Sequence, residues 1–123
     1  MAFPGSEELV AAAEAKLGRR LPDAHRERLI RENGGEVRAD RQWWTLYPVW
    51  DASNRKTIAR TANHILRENE AHRRDWPDIL PEKHFAIADN VGGDLLVLGP
   101  DGDDVLFWDH ETGDITPVNV KWS

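Results

Sequence analysis

The sequence predicts an α+β domain in which one antiparallel sheet packs against helices, and three observations carry that expectation. Helical spacing dominates the first half, in SEELVAAAEAKLG, PDAHRERLIREN and TIARTANHILREN. After Trp76-Pro77 four short apolar runs follow, HFAIAD, DLLVLG, DVLFWD and ITPVNV, about ten residues apart. Turn residues separate them: Val91-Gly92-Gly93, then GPDGD, then HETGD. Helices early and strands late place the strands in a C-terminal meander with the N-terminal helices packed on it.

Each element has a local cause. In the first helix Leu9, Ala12, Ala13 and Leu17 share one face, Ser6 is placed to cap the start, and Gly18 supplies the stop. Glu7 and Glu8 in the first turn and Lys16 in the last suit the helix dipole. The second helix opens at Pro22 and closes at Asn33-Gly34-Gly35, with a thin apolar stripe of Ala24, Leu29 and Ile30. QWWTLYPVW, 42–50, is aromatic and β-branched and reads as extended. Residues 57–69 return to helical spacing through Ile58, Ala62, Ile65 and Leu66. Leu95 to Leu98 is apolar on both faces, which predicts a central strand covered by helices.

The chain has 123 residues, enough for one domain spanning 1–123 with a core over about 6–120. A domain of this size buries roughly two-thirds of its unfolded surface. There is no cysteine, so disulfides, thiolate catalysis and cysteine metal sites are excluded. No basic-then-apolar leader and no run of roughly 20 apolar residues is present, which predicts a cytoplasmic protein without a membrane span. A net charge of −6 argues against direct nucleic-acid binding and is compatible with a basic protein partner.

Candidate chemistry reduces mostly to turns. DGDD at 101–104 has its glycine second and no glutamate at the distance a calcium loop requires. The five histidines never fall at the i, i+4 spacing of a helical zinc pair. Asp109, His110 and Glu111 adjoin, but neighbours in a strand face opposite ways. Ser6, Ser53 and Ser123 sit in no nucleophile elbow, and the paired glycines follow no phosphate-loop pattern. No catalytic, cofactor-binding or metal-binding residues are therefore assigned. Six tryptophans remain. Trp108 and one of Trp43 and Trp44 are expected in or near the core, since adjacent strand residues cannot both enter it; at least one exposed ring is expected as an interface anchor.

Three motifs carry a family resemblance. EAKLGRRLPDAHRERLIRENGG, FAIADNVGGDLLVLG and VLFWDHETGDITPV resemble, in order and spacing, the helical opening, the sheet motif and the last hairpin of the SUKH superfamily (the Smi/Knr-like domains). The helical match rests on Leu17, Gly18, Leu21, Pro22, Asn33, Gly34 and Gly35; the sheet match on Phe85, Asp89, Gly92, Gly93, Asp94, Trp108 and Asp109. The resemblance implies an α+β fold and a binding role without catalysis. Most bacterial members look like immunity proteins that neutralise a cognate toxin domain, often a nuclease; others are regulators in cell-wall signalling. A small carboxylate-based hydrolase is the remaining alternative. The family usually has aromatics where this chain has His25 and Arg28, so that helix either packs differently or shows a polar face to a partner. Trp43, Trp44, Asp101, Asp103, Asp104 and Asp114 are the expected partner-binding residues, the aspartates forming one anionic face, while Asp89 and Asp94 fix the Gly92-Gly93 turn through backbone hydrogen bonds.

Overall fold

The computed structural model describes residues 3–122; Met1, Ala2 and Ser123, which belong to the expected 1–123 span, lie outside them. In chain order the elements are α1 (Glu7–Leu17), α2 (Asp23–Arg31), β1 (Glu36–Ala39), β2 (Gln42–Leu46), α3 (Arg55–Arg60), α4 (Ile65–Asp75), β3 (Phe85–Asp89), β4 (Leu95–Leu98), β5 (Val105–Trp108), β6 (Ile115–Val118) and β7 (Val120–Lys121). The class is α+β, as the order of patterns predicts.

The first two helices form for the local reasons given. Ser6 accepts a hydrogen bond from the Leu9 N–H at 3.2 Å. Gly18 closes α1 in the left-handed conformation at φ 79°, where an L side chain would be strained, and donates to Glu14. Glu14 also accepts from the Leu21 N–H at 2.6 Å and from Arg26 at 3.1 Å, while Arg26 reaches Glu7 at 2.7 Å, so α1 and α2 are clipped together. Two facial assignments differ from expectation. Val10 and Ala13 are the buried positions of α1 and Ala12 is exposed; in α2 the buried positions are His25, Arg28 and Leu29, and Ala24 is exposed. His25 and Arg28 therefore face inward, and the alternative of a polar face offered to a partner is overturned. Arg28 tolerates this position by donating to the Glu32 and Glu36 carbonyls and the Glu32 carboxylate, while His25 stacks on Trp122 at 4.9 Å.

Residues 57–69 are two helices rather than one. Asn54 starts α3 with a capping box. The Thr61 hydroxyl bonds back to Thr57 and accepts from the Asp51 N–H, and His64 caps α4 while the Ile65 N–H donates to Pro48. Two of these bonds, to Asp51 and Pro48, tie the break to the 48–51 segment, so it is set by packing.

All seven strands pair antiparallel in the order β6-β5-β4-β3-β2-β1-β7. β6 and β7 are separated only by Asn119, yet they lie at opposite edges of the sheet. Two residues of extended chain span at most about 7 Å. The two edges must therefore almost meet, and the sheet curls nearly into a barrel. Every residue of β4 is buried, as its two-faced apolarity predicts. α4 lies on β3, and the Asn69 side chain satisfies both the N–H and the C=O of Ala86, at 2.7 and 2.8 Å.

Most motif residues do structural work. Leu21, Pro22 and Phe85 are buried, and Leu17 packs half-buried against the core. Asn33 bonds the N–H and C=O of Val49 at 2.8 and 2.9 Å, and Gly34 and Gly35 after it have positive φ. Asp109 closes the β5–β6 turn by accepting from the Glu111 N–H at 2.8 Å.

Candidate functional site

The tryptophan pair divides as strand alternation requires. Trp44 is 0% exposed, donates its indole N–H to Ala39 at 2.9 Å and meets Phe107 edge-on at 5.5 Å. It cannot touch a partner, which corrects its place among the binding residues. Trp43 is 59% exposed beneath the Arg38 guanidinium. Trp108 is half-buried at the margin of the core.

The aspartates do not form one face. Successive turns of an antiparallel meander alternate between the ends of the sheet. The β3–β4 and β5–β6 turns, with Asp89, Asp94, Asp109 and Asp114, therefore lie at one end; the β4–β5 turn, with Asp101, Asp103 and Asp104, lies at the other. Asp101 and Asp103 there share a depression with Arg19 and Arg20, and Arg19 donates to the Gly99 and Gly102 carbonyls at 2.8 Å. That loop is partly neutralised and held to the helical side.

At the first end a groove of about 870 Å³ opens between the sheet and the chain leaving α4. Leu95 and the half-buried Trp108 form its apolar floor. Trp76, 60% exposed, and Ile79 form the facing wall. Asp75, Asp78 and Asp89 supply carboxylates and His72 and His110 imidazoles. The elements place these groups for simple reasons: His72 and Trp76 are four residues apart at the end of α4, so they share a side, and Pro77 stops the helix there.

Two polar clusters reach the groove through its lining residues His72, Asp89 and His110. The Tyr47 hydroxyl donates to Asp89 Oδ2 at 2.9 Å and lies 3.2 Å from His72 Nε2. Burial, then the Asp89 charge and hydrogen bond, push the phenol far above its ordinary pKa, so it stays a neutral donor. Asp94 Oδ1 lies 2.6 Å from His110 Nδ1 and accepts the His110 N–H at 3.1 Å. Partial burial would raise the Asp94 carboxyl, but hydrogen bonds from His110 and Asn90 outweigh it and hold the group below its usual range. The same contact raises the His110 imidazole. Asn90 and Asp94 together fix the glycine turn: Asn90 Oδ1 accepts the N–H groups of Gly92 at 3.0 Å and Asp94 at 2.9 Å, and the Asp94 carbonyl accepts the Asn90 N–H at 3.3 Å. Gly93 has φ 94°, a conformation that favours glycine, with the His110 ring packed against the site a Cβ would take.

Asp94, Asp109 and His110 each present a ligand atom within 4.8 Å of the others and could hold a metal ion. Each already serves a turn: Asp94 binds His110, and Asp109 caps Glu111. Ser6 and Ser53, the serines among the described residues, are likewise committed, Ser6 to its cap and Ser53 to the Asp51 carboxylate. Sequence reasoning missed the grouping of Tyr47, His72, Ile79 and His110. The spacing of His72 and Trp76 at a helix end followed by proline was the one local signal for it.

The sequence model of the SMI1 / KNR4 family (SUKH-1) matches residues 4–123, and the chain belongs to that family. A search of curated proteins returned no match.

Proposed function

We propose that this SUKH-1 domain is a protein-binding immunity protein that neutralises a cognate bacterial toxin, acting in the cytoplasm without catalysis, cofactor or metal. The observation that carries the reading is the groove itself, an open apolar trough with a Trp76 ring 60% exposed beside carboxylates. An exposed indole at the mouth of an apolar pocket is a preferred hot-spot anchor. The carboxylates around it would steer a basic surface, such as that of a nuclease, toward docking and occlusion. Committed serines and a phenol held neutral support binding over hydrolysis. No helix among the described residues is long and apolar enough to cross a membrane.

The test is co-expression with the toxin encoded beside this chain, followed by affinity measurement. Trp76→Ala should weaken the complex about 30-fold, corresponding to the roughly 2 kcal/mol of a hot spot, and abolish rescue. Full rescue by a folded Trp76→Ala, Asp78→Lys double variant would sink the groove as the docking surface. Recovery of a cell-envelope regulator instead of a toxin would turn the reading to the regulatory branch.

A further inference from the structure

A second cavity, of about 600 Å³, lies at the opposite end of the sheet, between the end of α1, the flank of α4 and the loop before β3. Four cations line it, Lys16, Arg19, Arg73 and Lys83, against a single carboxylate, Glu70. Such a concentration is unexpected in a chain of net charge −6. Among the described residues none of the four forms an ion pair, whereas Arg20, Arg26, Arg28 and Arg74 do. Arg19 is spent on the carbonyls of Arg20, Gly99 and Gly102, so it braces the wall, with Asp101 and Asp103 beside it on its other side.

Lys83 adds an independent sign. Its φ is +63°, a left-handed backbone uncommon for a residue with a side chain. Strain of this kind persists where surrounding structure holds it and is concentrated at ligand-binding sites. Leu17, Leu66 and Phe85 supply an apolar part of the wall, with Asn69 beside them.

We infer that this cavity is a binding site for a small phosphorylated ligand carrying two or more negative charges, of nucleotide size. The volume lies within the range of small-molecule sites, about 300–1,000 Å³. Arginine and lysine from three separate segments can surround a diphosphate, the guanidinium by paired donors and the ammonium groups as point charges. The apolar wall accommodates the uncharged remainder of the ligand. This site stands apart from the Trp76 groove and does not depend on a toxin partner.

The experiment is isothermal titration of the full chain with inorganic pyrophosphate and with ADP at low ionic strength. Both should bind, with affinity falling as salt rises. Arg73→Glu should weaken binding at least about tenfold, and Lys83→Gly should weaken it about three- to tenfold while leaving the melting temperature unchanged or higher, because glycine accepts the left-handed backbone. Trp76→Ala should leave the titration untouched. Absence of heat with either ligand at millimolar concentration overturns the proposal, as does binding that survives both variants. Binding of a polyglutamate peptide alone would also overturn it, in favour of an acidic protein segment.

Discussion

His25 is the residue that most departs from its surroundings. It is 0% exposed, and neither ring nitrogen has a hydrogen-bond partner among the described residues. Burial, reinforced by the nearby Arg19 and Arg28 charges, lowers its pKa to about 3. The unfolded chain therefore binds a proton near pH 6.5 that the folded chain refuses, and stability is lost as pH falls below 6.5. Between pH 6.5 and 5 the loss should reach about 2 kcal/mol, at 1.4 kcal/mol per unit. His64, lowered by burial, adds to this slope, and His110, raised by Asp94, opposes it. Comparison with His25→Phe isolates the residue: the variant should gain about 1–3 kcal/mol in urea denaturation at pH 7, by removing two unsatisfied polar atoms, and should lose the added acid sensitivity. A less stable variant with an unaltered pH profile would mean that the ring is hydrogen-bonded in solution.

At the scale of elements, two buried asparagines do what a strand would otherwise do. Asn33 pairs with Val49 and Asn69 with Ala86, each through its amide oxygen and nitrogen. Asn69→Ala would strand a buried N–H and C=O on β3 and should destabilise by about 2–4 kcal/mol, at 1–3 kcal/mol for each group left unpaired. Urea denaturation and hydrogen exchange at the Ala86 amide measure it; full protection of that amide would show that α4 is held otherwise. Asn33 was legible through the NGG motif. Asn69 was not, because its neighbours suggest a solvent-facing helix and only the docking of α4 turns it inward. β1 was also unread: EVRA has just two inward residues, Val37 and Ala39, too short a signal without the partner strand.

Across the whole molecule, the groove and the cationic cavity lie at opposite ends of the sheet. The apolar groove lies at the end with Asp89, Asp94, Asp109 and Asp114, and the cationic cavity at the end with Arg19. Partner association should therefore be slowed several-fold at low salt by Asp78→Lys with Asp114→Lys, and the effect should fade as ionic strength rises. Asp103→Lys with Asp104→Lys, at the far end beside Arg19 and Arg20, should leave the rate nearly unchanged. Stopped-flow measurement of the two double variants decides it, and equal slowing would contradict the assignment of the docking surface to one end.

The class, the helix cap and stop around α1, strands β3 to β6, the covered centre at Leu95 to Leu98 and the family were all readable along the chain. These follow from periodicity, capping and turn chemistry, which act over a few residues. The last run, ITPVNV, reads as one strand, whereas its end belongs to β7, which crosses to pair with β1. Long-range packing alone settles that residues 57–69 break in two, that Trp44 is interior and Trp43 exterior, that His25 and Arg28 face inward, and that the aspartates part to opposite ends. Each of these depends on which distant segment covers a side chain. That is fixed by the curl that brings β6 and β7 to within one residue of each other, a property of the closed sheet that no stretch of chain carries alone.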